Sequence, residues 1–315
     1  MIATMTANPC LDKTVAVEKF DLYRMNRVEI LRTDFSGKGI NVSRVLKAFG
    51  GETLCTGFDF CDSGTSLLTE DLDLSGIAHD FVTVKGALRV CTKIFDETRK
   101  HTIEVNERGV PVTAADGERL LAKVENVAKR CDFFTLSGSL PMGLDRDFYA
   151  ECVRRIKAAA PGCRVVVDAE GEQLLSALQA APFMIKPNIY EFEGTFGVKA
   201  ESLSDLDHKA REILEAYGLG MICVSLGEKG AYIADRSGAY FSEPAAVTVR
   251  SLQGAGDSMV AGICLALEQG LSTSDVLHYG VAAAGATVST EGTQAGRRAD
   301  FEELLNRESH VRKIS

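Results

Sequence analysis

"LQGAGDSMVAG", residues 252–262, places small residues, a carboxylate and a hydroxyl directly before an apolar segment. The apolar residues recur at helical spacing, which predicts a helix that starts near Ala255. Gly254, Ala255 and Gly256 leave the backbone amides of that helix start uncovered. Unpaired N–H groups at a positive dipole end suit an anion. A capped helix after a tight turn explains the same residues, because Gly and Asp are common there.

Strand and helix patterns alternate from about residue 117 to this stretch. Short apolar strands are predicted at "CDFFTLSGS", "RVVVDA", "FMIKPN" and "MICVSLG", with amphipathic helical segments between them. Repeated units of this kind predict an α/β fold, with a parallel sheet covered by helices on both faces. "GAYIADRSGAYFSE" predicts a hairpin about residues 236–238, and "HVRKIS" an edge strand or a frayed tail.

The first third of the chain has a different pattern. Two segments, at about residues 12–35 and 88–108, alternate polar and apolar residues, and a helical stretch separates them. Such segments can pair into a small accessory sheet. We therefore expect a single domain, residues 1–315, with this sheet inserted in the main α/β unit.

Composition narrows the class of protein. The 315 residues are 45% hydrophobic and 25% charged, which is typical of a globular domain. The net charge of −9 argues against nucleic-acid and anionic-membrane partners. Nine cysteines without a C-x-x-C pair indicate reduced thiols. Without a visible signal peptide or membrane-spanning stretch, we expect a cytoplasmic protein.

A second glycine turn, "FSGKGINVSRVL" at residues 35–46, precedes another predicted helix. Gly37 and Gly39 permit close backbone approach, Lys38 supplies a cation, and Asn41 supplies a donor and an acceptor. The spacing is not that of a Walker A loop, and no G-x-G-x-x-G follows a strand. An ordinary helix-start turn remains the alternative.

Three charged residues of the first third are candidates for binding a sugar and a phosphate. Asp12 in "NPCLDKT" could accept hydrogen bonds from two sugar hydroxyls, and an Asx-type turn is the alternative. Arg89 and Arg27, on or near the accessory strands, could neutralise a phosphate. Solvated surface arginines are the alternative for both.

Two further turns lie at predicted strand ends. Asn188 and Glu191 in "IKPNIYEFE" are three apart on one helix face, and could hold a hydrated Mg²⁺. N-capping by Asn188, with Glu191 as its capping-box partner, fits equally well. Ser225, Gly227 and Gly230 in "VSLGEKGAYI" lie where open α/β sheets bind ligands, or form a simple turn.

The order of these motifs resembles the PfkB family of ribokinase-like sugar kinases. "GKGINVSRVL" resembles its first signature and "LQGAGDSMVAG" its second, with "SGSLPMG", "IKPNIYEFE" and "VSLGEKG" between them in the family order. "TANPCLDKTVAVEKF" and "TIEVNERG" further resemble the hexose-phosphate branch, which phosphorylates fructose 1-phosphate or tagatose 6-phosphate. The resemblance implies a three-layer αβα fold, with a mainly parallel central sheet and a small β-sheet lid.

The resemblance also implies roles for the candidate residues. Asp257 would be the catalytic base, kept ionised by the helix dipole, and the amides of Gly254, Ala255 and Gly256 would form the anion hole. The sugar phosphate would be held by Asp12, Gly37, Lys38, Asn41 and Arg89, with Arg27 a weaker candidate from a neighbouring subunit. ATP would be contacted by Lys186, Asn188, Ser225, Gly227, Gly230, Gly256 and Ser258, and Mg²⁺ by Glu191 through water. A monovalent cation is a further candidate cofactor, and the lid a candidate homodimer interface that includes Val17, Ile30 and Ile94.

The activity implied is ATP-dependent phosphorylation of fructose 1-phosphate to fructose 1,6-bisphosphate. Tagatose 6-phosphate and fructose 6-phosphate are alternative acceptors, followed by a nucleoside or ribose. A catalytically silent sugar-phosphate sensor is an alternative from another class. Three departures from the family pattern affect sugar preference: Ser36 replaces a glycine, Gln253 replaces a smaller residue, and "GFDFCDSGTSLL" lacks a glycine pair.

Overall fold

A ten-stranded sheet forms the centre of the computed structural model, which describes residues 1–62, 66–290 and 294–315. Its strands are β1 (Ile2–Thr6), β4 (Thr53–Phe60), β5 (Ala78–Val84), β8 (Phe133–Ser137), β9 (Arg164–Asp168), β10 (Met184–Ile185), β11 (Met221–Ser225), β12 (Ala231–Asp235), β13 (Ala239–Ser242) and β14 (Val311–Lys313). The spatial order is β14-β13-β12-β11-β10-β9-β8-β1-β4-β5. Residues 63–65 of the "GFDFCDSGTSLL" segment lie outside the described residues.

The sheet is mainly parallel, as predicted. Parallel pairing joins all the strands from β5 to β11, and β12, β13 and β14 add an antiparallel edge. The hairpin at residues 236–238 joins β12 to β13, and "HVRKIS" contributes the edge strand β14. Because helices cover both faces of the parallel part, its strands are continuous apolar runs in the sequence.

Ten helices cover the two faces of the sheet within the described ranges. One layer contains α1 (Lys38–Ala48), α2 (Leu67–Leu74), α8 (Ala255–Glu268), α9 (Thr273–Val288) and α10 (Arg298–Asn306). The other contains α3 (Ala114–Ala128), α4 (Phe148–Ala159), α5 (Gly171–Leu178), α6 (Ile189–Phe196) and α7 (Leu203–Ala216). Ile2 packs into the first layer and Met5 into the second, which confirms the three-layer arrangement. None of the described helices has both the length and the apolar character to cross a bilayer.

The helices α1 and α8 both start at glycines, and both starts lie at the carboxyl edge of the sheet. Gly254 has a left-handed φ of 74° and is followed by α8 at Ala255, as the sequence predicts. A Cβ on Gly39 would lie 2.4 Å from the Met5 carbonyl oxygen, so only glycine lets α1 pack this closely against β1.

A separate four-stranded sheet, called the second sheet below, has the order β3-β2-β6-β7. Its strands are β2 (Cys10–Val17), β3 (Glu29–Ser36), β6 (Arg89–Asp96) and β7 (His101–Asn106), which match the predicted accessory segments. Strands β2 and β6 are parallel neighbours, with Asp12 opposite Cys91. Because side chains alternate along a strand, Cys10 and Asp12 share one face with Arg89, Cys91 and Lys93.

Candidate active site

Charged side chains meet at the carboxyl edge of the large sheet, where its parallel strands end together. Asp168 is the last residue of β9, and Lys186 directly follows β10. The Asp168 Oδ1 atom lies 3.5 Å from the Lys186 ammonium nitrogen and 3.4 Å from that of Lys38, at the start of α1. Ligands bind at this edge in open α/β sheets, so the arrangement identifies a candidate ligand site.

Asp257 lies in the first turn of α8 and is held by a chain of hydrogen bonds. The Asn41 side-chain amide donates to Asp257 Oδ2 at 2.8 Å. The Ser36 hydroxyl in turn donates to the Asn41 amide oxygen at 3.2 Å. Because that oxygen is engaged, the NH₂ group of Asn41 is turned toward Asp257. The departure at Ser36 thus adds a hydrogen bond that orients Asn41.

The pKa of Asp257 is shifted opposite to the direction that the helix dipole favours. We expected the helix dipole to favour the charged form. Burial and the neighbouring charge of Asp168 instead raise the pKa of Asp257 to about 6, against the opposing effects of Lys38, Asn41 and Lys186. A carboxyl group with this pKa is still about nine-tenths ionised at pH 7, where it can accept a proton.

The N-terminus of α8 is open and faces a cation. Within residues 1–62, 66–290 and 294–315, no side chain caps the helix. A Cβ placed on Gly256 would lie 3.5 Å from the Lys186 ammonium nitrogen, so this cation is next to the uncovered amides. Burial raises the pKa of Asp168, but Lys186 and Lys38 outweigh it and hold the pKa below its usual value. The ammonium groups of Lys38 and Lys186 both flank the Asp168 carboxylate, and together with the uncovered amides of α8 they offer hydrogen-bond donors to an anion.

Ser258 does not belong to this site. It follows Asp257 in α8, but its side chain is fully buried. Its hydroxyl shares a 2.7 Å hydrogen bond with the Thr287 hydroxyl of α9. The side chain therefore joins two helices, and we withdraw it from the predicted ATP contacts.

Asp12 is paired with a lysine that the sequence analysis missed. The Lys93 ammonium group donates to Asp12 Oδ2 at 3.0 Å, and both side chains are about 10% exposed. The same ammonium group donates to Gln253 Oε1 at 3.2 Å. Lys93 therefore connects the second sheet to the loop before α8, which accounts for the larger residue at position 253. The clue in the sequence was a lysine four residues after Arg89 on the same strand face.

Arg89 is fixed where the second sheet meets the large one. Its guanidinium group donates to the carbonyl oxygen of Asn8 at 3.0 and 3.3 Å, and to that of Glu107 at 3.3 Å. The Asn8 amide donates to the Ser139 hydroxyl at 3.4 Å, within "SGSLPMG". Arg27 is exposed on the connection between β2 and β3, and is not among the residues that meet here.

The remaining predicted residues surround the ends of β10 and β11. Asn188 and Glu191 form a capping box for α6, with hydrogen bonds of 2.8 and 2.9 Å, so the structural alternative is confirmed. The second carboxylate oxygen of Glu191 lies 3.9 Å from the Lys38 ammonium nitrogen. A bridge pairs Asn188 with Ser225. A Cβ on Gly230 would lie 2.0 Å from the Ser242 carbonyl oxygen, so this turn requires glycine.

Asp168 was also missed by the sequence analysis. It is the last residue of β9 in "RVVVDA", and a carboxylate at the carboxyl end of a buried parallel strand is the signal that could have found it. A cleft of about 280 Å³ lies beside it, lined by Lys38, Gly138, Ser139, Arg146, Ala169, Glu170, Glu172 and Gln173. The "SGSLPMG" segment thus forms one wall of the space next to Lys38.

Together the fold and the site define a phosphoryl-transferring enzyme of the α/β class, and comparison with known proteins agrees. The chain belongs to the pfkB family of carbohydrate kinases, whose model matches residues 5–300. The 1-phosphofructokinases of Escherichia coli K12 and Borreliella burgdorferi are each 33% identical to it, with 91% of both chains covered. The crystal structure of E. coli phosphofructokinase-2 in complex with potassium aligns with a TM-score of 0.89 at 25% identity, covering 96% of this chain and 97% of that one. The ribokinase-like fold is therefore confirmed.

Proposed function

We propose that this protein transfers the γ-phosphoryl group of ATP to fructose 1-phosphate and so forms fructose 1,6-bisphosphate. The observation that carries the proposal is the position of Asp257 at the uncapped start of α8, beside Asn41 and the lysine pair. Membership of the carbohydrate kinase family and the names of the two 1-phosphofructokinases support it.

In the proposed reaction, Asp257 takes the proton of the acceptor hydroxyl as that oxygen bonds to phosphorus and the bond to ADP breaks. Phosphoryl transfer has a loose transition state, so catalysis depends mostly on positioning and charge stabilisation. The amides of Gly254, Ala255 and Gly256 would stabilise charge on the transferring group. Lys186 would neutralise the phosphate chain from the side of Gly256.

The site also suits a hydrated Mg²⁺, which prefers oxygen ligands and keeps several waters. Asp168 Oδ2 is buried and has no hydrogen-bond partner among the residues that the structure describes, and one carboxylate oxygen of Glu191 is outside the capping box. These carboxylates would hold the ion, which would neutralise charge on the phosphates of ATP. Asn188, Ser225, Gly227 and Gly230 would line the nucleotide site. A monovalent cation stays a prediction.

Two cations favour an acceptor that already carries a phosphate. Arg89 and Lys93 face the main sheet from β6, close to the Asp12 carboxylate. Asp12 and Asn41 would bind the sugar hydroxyls, with Gly37 and Lys38 beside them, while Arg89 binds the phosphate. A nucleoside would prefer an aromatic wall there, whereas β6 contributes Arg89 and Lys93. Tagatose 6-phosphate and fructose 6-phosphate remain alternative acceptors.

The second sheet would act as a lid and as a homodimer interface. Its outer strands expose Ile30, Leu31 and Val105 by 53–57%, and the neighbouring loop exposes Leu22 and Tyr23 still more. A small sheet with an uncovered apolar face is not stable alone, and pairing with a second copy would cover these residues. Val17 is buried within its own chain and is removed from the proposed contacts. Arg27 remains a candidate contributor from the partner.

We also propose a cytoplasmic location. The nine cysteines of the chain are all free thiols, a state that a reducing compartment maintains. The proposed substrates, ATP and a sugar phosphate, are metabolites of that compartment.

The test of this function is an ADP-release assay with ATP and Mg²⁺. Fructose 1-phosphate, tagatose 6-phosphate, fructose 6-phosphate and adenosine are compared at equal concentrations, with Asp257→Asn as the inactive control. The highest kcat/KM is expected with fructose 1-phosphate. A higher kcat/KM with another acceptor overturns the choice of substrate, and the absence of turnover with all four overturns the function.

A further inference from the structure

Two thiols lie beside the Asp12 carboxylate, on the face of the second sheet that points toward the proposed sugar site. Cys10 and Cys91 are 5% and 6% exposed. The two sulfur atoms and a carboxylate oxygen of Asp12 all lie within 4.8 Å of one another. The separation between Cys10 Sγ and Asp12 Oδ1 is 3.9 Å. The proposed reaction uses Asp12 but neither thiol.

The ligand set matches a tetrahedral metal site. Zn²⁺ binds sulfur at about 2.3 Å and carboxylate oxygen at about 2.1 Å, so ligand atoms around it lie about 3.5–3.8 Å apart. The Cys10 Sγ–Asp12 Oδ1 separation of 3.9 Å is already close to that spacing, and the other pairs lie within 4.8 Å. Two thiolates and one carboxylate favour a thiophilic cation such as Zn²⁺ or Cd²⁺ over Mg²⁺. The fourth position would be taken by water.

A disulfide between the two cysteines fits the backbone less well. Strand pairing places Cys10 opposite Arg89, so Cys91 is offset from Cys10 by two residues. Strands about 4.8 Å apart with a rise of about 3.3 Å per residue put the two Cα atoms about 8 Å apart. Disulfides usually require less than about 7 Å. An ion can bridge this gap, because it adds two bonds between the sulfur atoms.

The surrounding charges are compatible with a divalent ion. The Lys93 ammonium group donates to Asp12 Oδ2, whereas the Cys10 thiol lies next to Oδ1, so the two carboxylate oxygens have separate partners. Three anionic ligands carry one more negative charge than a divalent ion neutralises. The Lys93 ammonium group compensates this last charge, and Arg89, opposite Cys10 on the same face, adds a positive charge that favours the thiolate form of both ligands.

We propose that Cys10, Asp12 and Cys91 form a binding site for a thiophilic divalent cation, and that this cation inhibits the enzyme by competing with the acceptor sugar for Asp12. The competition rests on the proposed role of Asp12 in sugar binding, whereas the metal site itself does not. Binding would release the thiol protons to solvent and form two metal–sulfur bonds, without any redox change.

The experiment titrates the full chain with Cd²⁺ in the absence of ATP and Mg²⁺, and follows the ultraviolet thiolate-to-metal absorption band. Wild type is compared with Cys10→Ser, Cys91→Ser and Cys131→Ser. Cys131 is partly exposed, and its thiol donates a hydrogen bond to the Val127 carbonyl oxygen. Cys131→Ser therefore controls for nonspecific binding of Cd²⁺ to thiols. Cys91→Ala replaces the serine variant if that variant fails to fold.

One Cd²⁺ per chain is expected for wild type and for Cys131→Ser. Removing a group that only hydrogen-bonds to a metal ligand typically weakens metal binding by about 10–100-fold. Removing either thiolate, which would be a direct ligand, should therefore weaken Cd²⁺ binding at least that much. Wild type without the band overturns the site, as does an unchanged affinity in Cys10→Ser or Cys91→Ser.

The competition is tested by repeating the titration with fructose 1-phosphate, and by measuring initial rates with Cd²⁺ at saturating MgATP. The sugar should raise the apparent Kd for Cd²⁺, and Cd²⁺ should raise the sugar KM in wild type far more than in Cys91→Ser. Cd²⁺ binding that is insensitive to a sugar the enzyme turns over overturns the competition. Absence of turnover without Cd²⁺ contradicts the proposed function instead, and the absorption band still decides the metal site.

Discussion

The acid side of the pH profile should report the ionisation of Asp257. In the proposed reaction the base is the Asp257 carboxylate, whose pKa is raised from 3.8 to about 6 by burial and by Asp168. Because the raised pKa favours the protonated form of Asp257, kcat/KM should be constant near neutral pH and fall as the pH drops through about 6. At pH 5 about a tenth of the enzyme would have the charged base, so kcat/KM should fall to about a tenth of its plateau.

The Asp168→Asn substitution shows whether the fall in kcat/KM at acid pH comes from Asp257 or from another titrating group. It removes the second-largest cause of the raised pKa and leaves Lys38 and Lys186 without their shared carboxylate. Both effects favour the charged form of Asp257, so the acid limb should move to lower pH, within the interval between about 6 and 3.8. Each pH unit of movement corresponds to about 1.4 kcal/mol.

The assay is kcat/KM for the sugar phosphate across the acid range, for wild type, Asp168→Asn and Glu191→Gln. The acceptor's own phosphate also titrates near pH 6, at about the second pKa of a phosphate monoester. It is the same in every enzyme, so only a difference between enzymes belongs to the protein. Glu191→Gln removes a carboxylate that pairs with Asn188 and Lys38, and should leave the limb in place. The reasoning is refuted if the fall in kcat/KM occurs at the same pH, or at a higher pH, in Asp168→Asn than in wild type.

Four further predictions concern single side chains. Asp257→Asn should lower kcat by about 10²–10⁴-fold with ATP binding intact by calorimetry, and a near-normal kcat contradicts its role as base. Arg89→Ala should cost about 1.5–3 kcal/mol, seen as a raised KM for the sugar phosphate, whereas equal weakening of ATP would place this arginine elsewhere. Ser36→Ala should lower kcat by about 2–10-fold, because Asn41 loses its orienting bond, with the KM for ATP as the unaffected control. Ile30→Lys should split the proposed dimer in light scattering, a prediction that a fully active wild-type monomer at micromolar concentration would exclude.

The backbone arrangement was accessible from local patterns. Apolar runs between amphipathic segments predicted the parallel sheet, and the glycine turns at Gly37 and Gly254 predicted the starts of α1 and α8. These signals are local, because strand alternation and helix starts depend on residues a few positions apart. The second sheet followed from two alternating segments, although their pairing through β2 and β6 did not.

What the sequence by itself determined is therefore the fold class, the two helix starts and most of the polar residues that meet at the sheet edge. Tertiary structure decided their partners: Asp168 between Lys38 and Lys186, Lys93 between Asp12 and Gln253, and the thiol pair beside Asp12. It also removed Ser258, whose hydroxyl is used by a neighbouring helix. The physical reason is that hydrogen bonds, burial and pKa depend on groups that are distant in sequence. A local pattern can place a carboxylate at a strand end, but only the packed chain sets which charges surround it and how tightly it holds its proton.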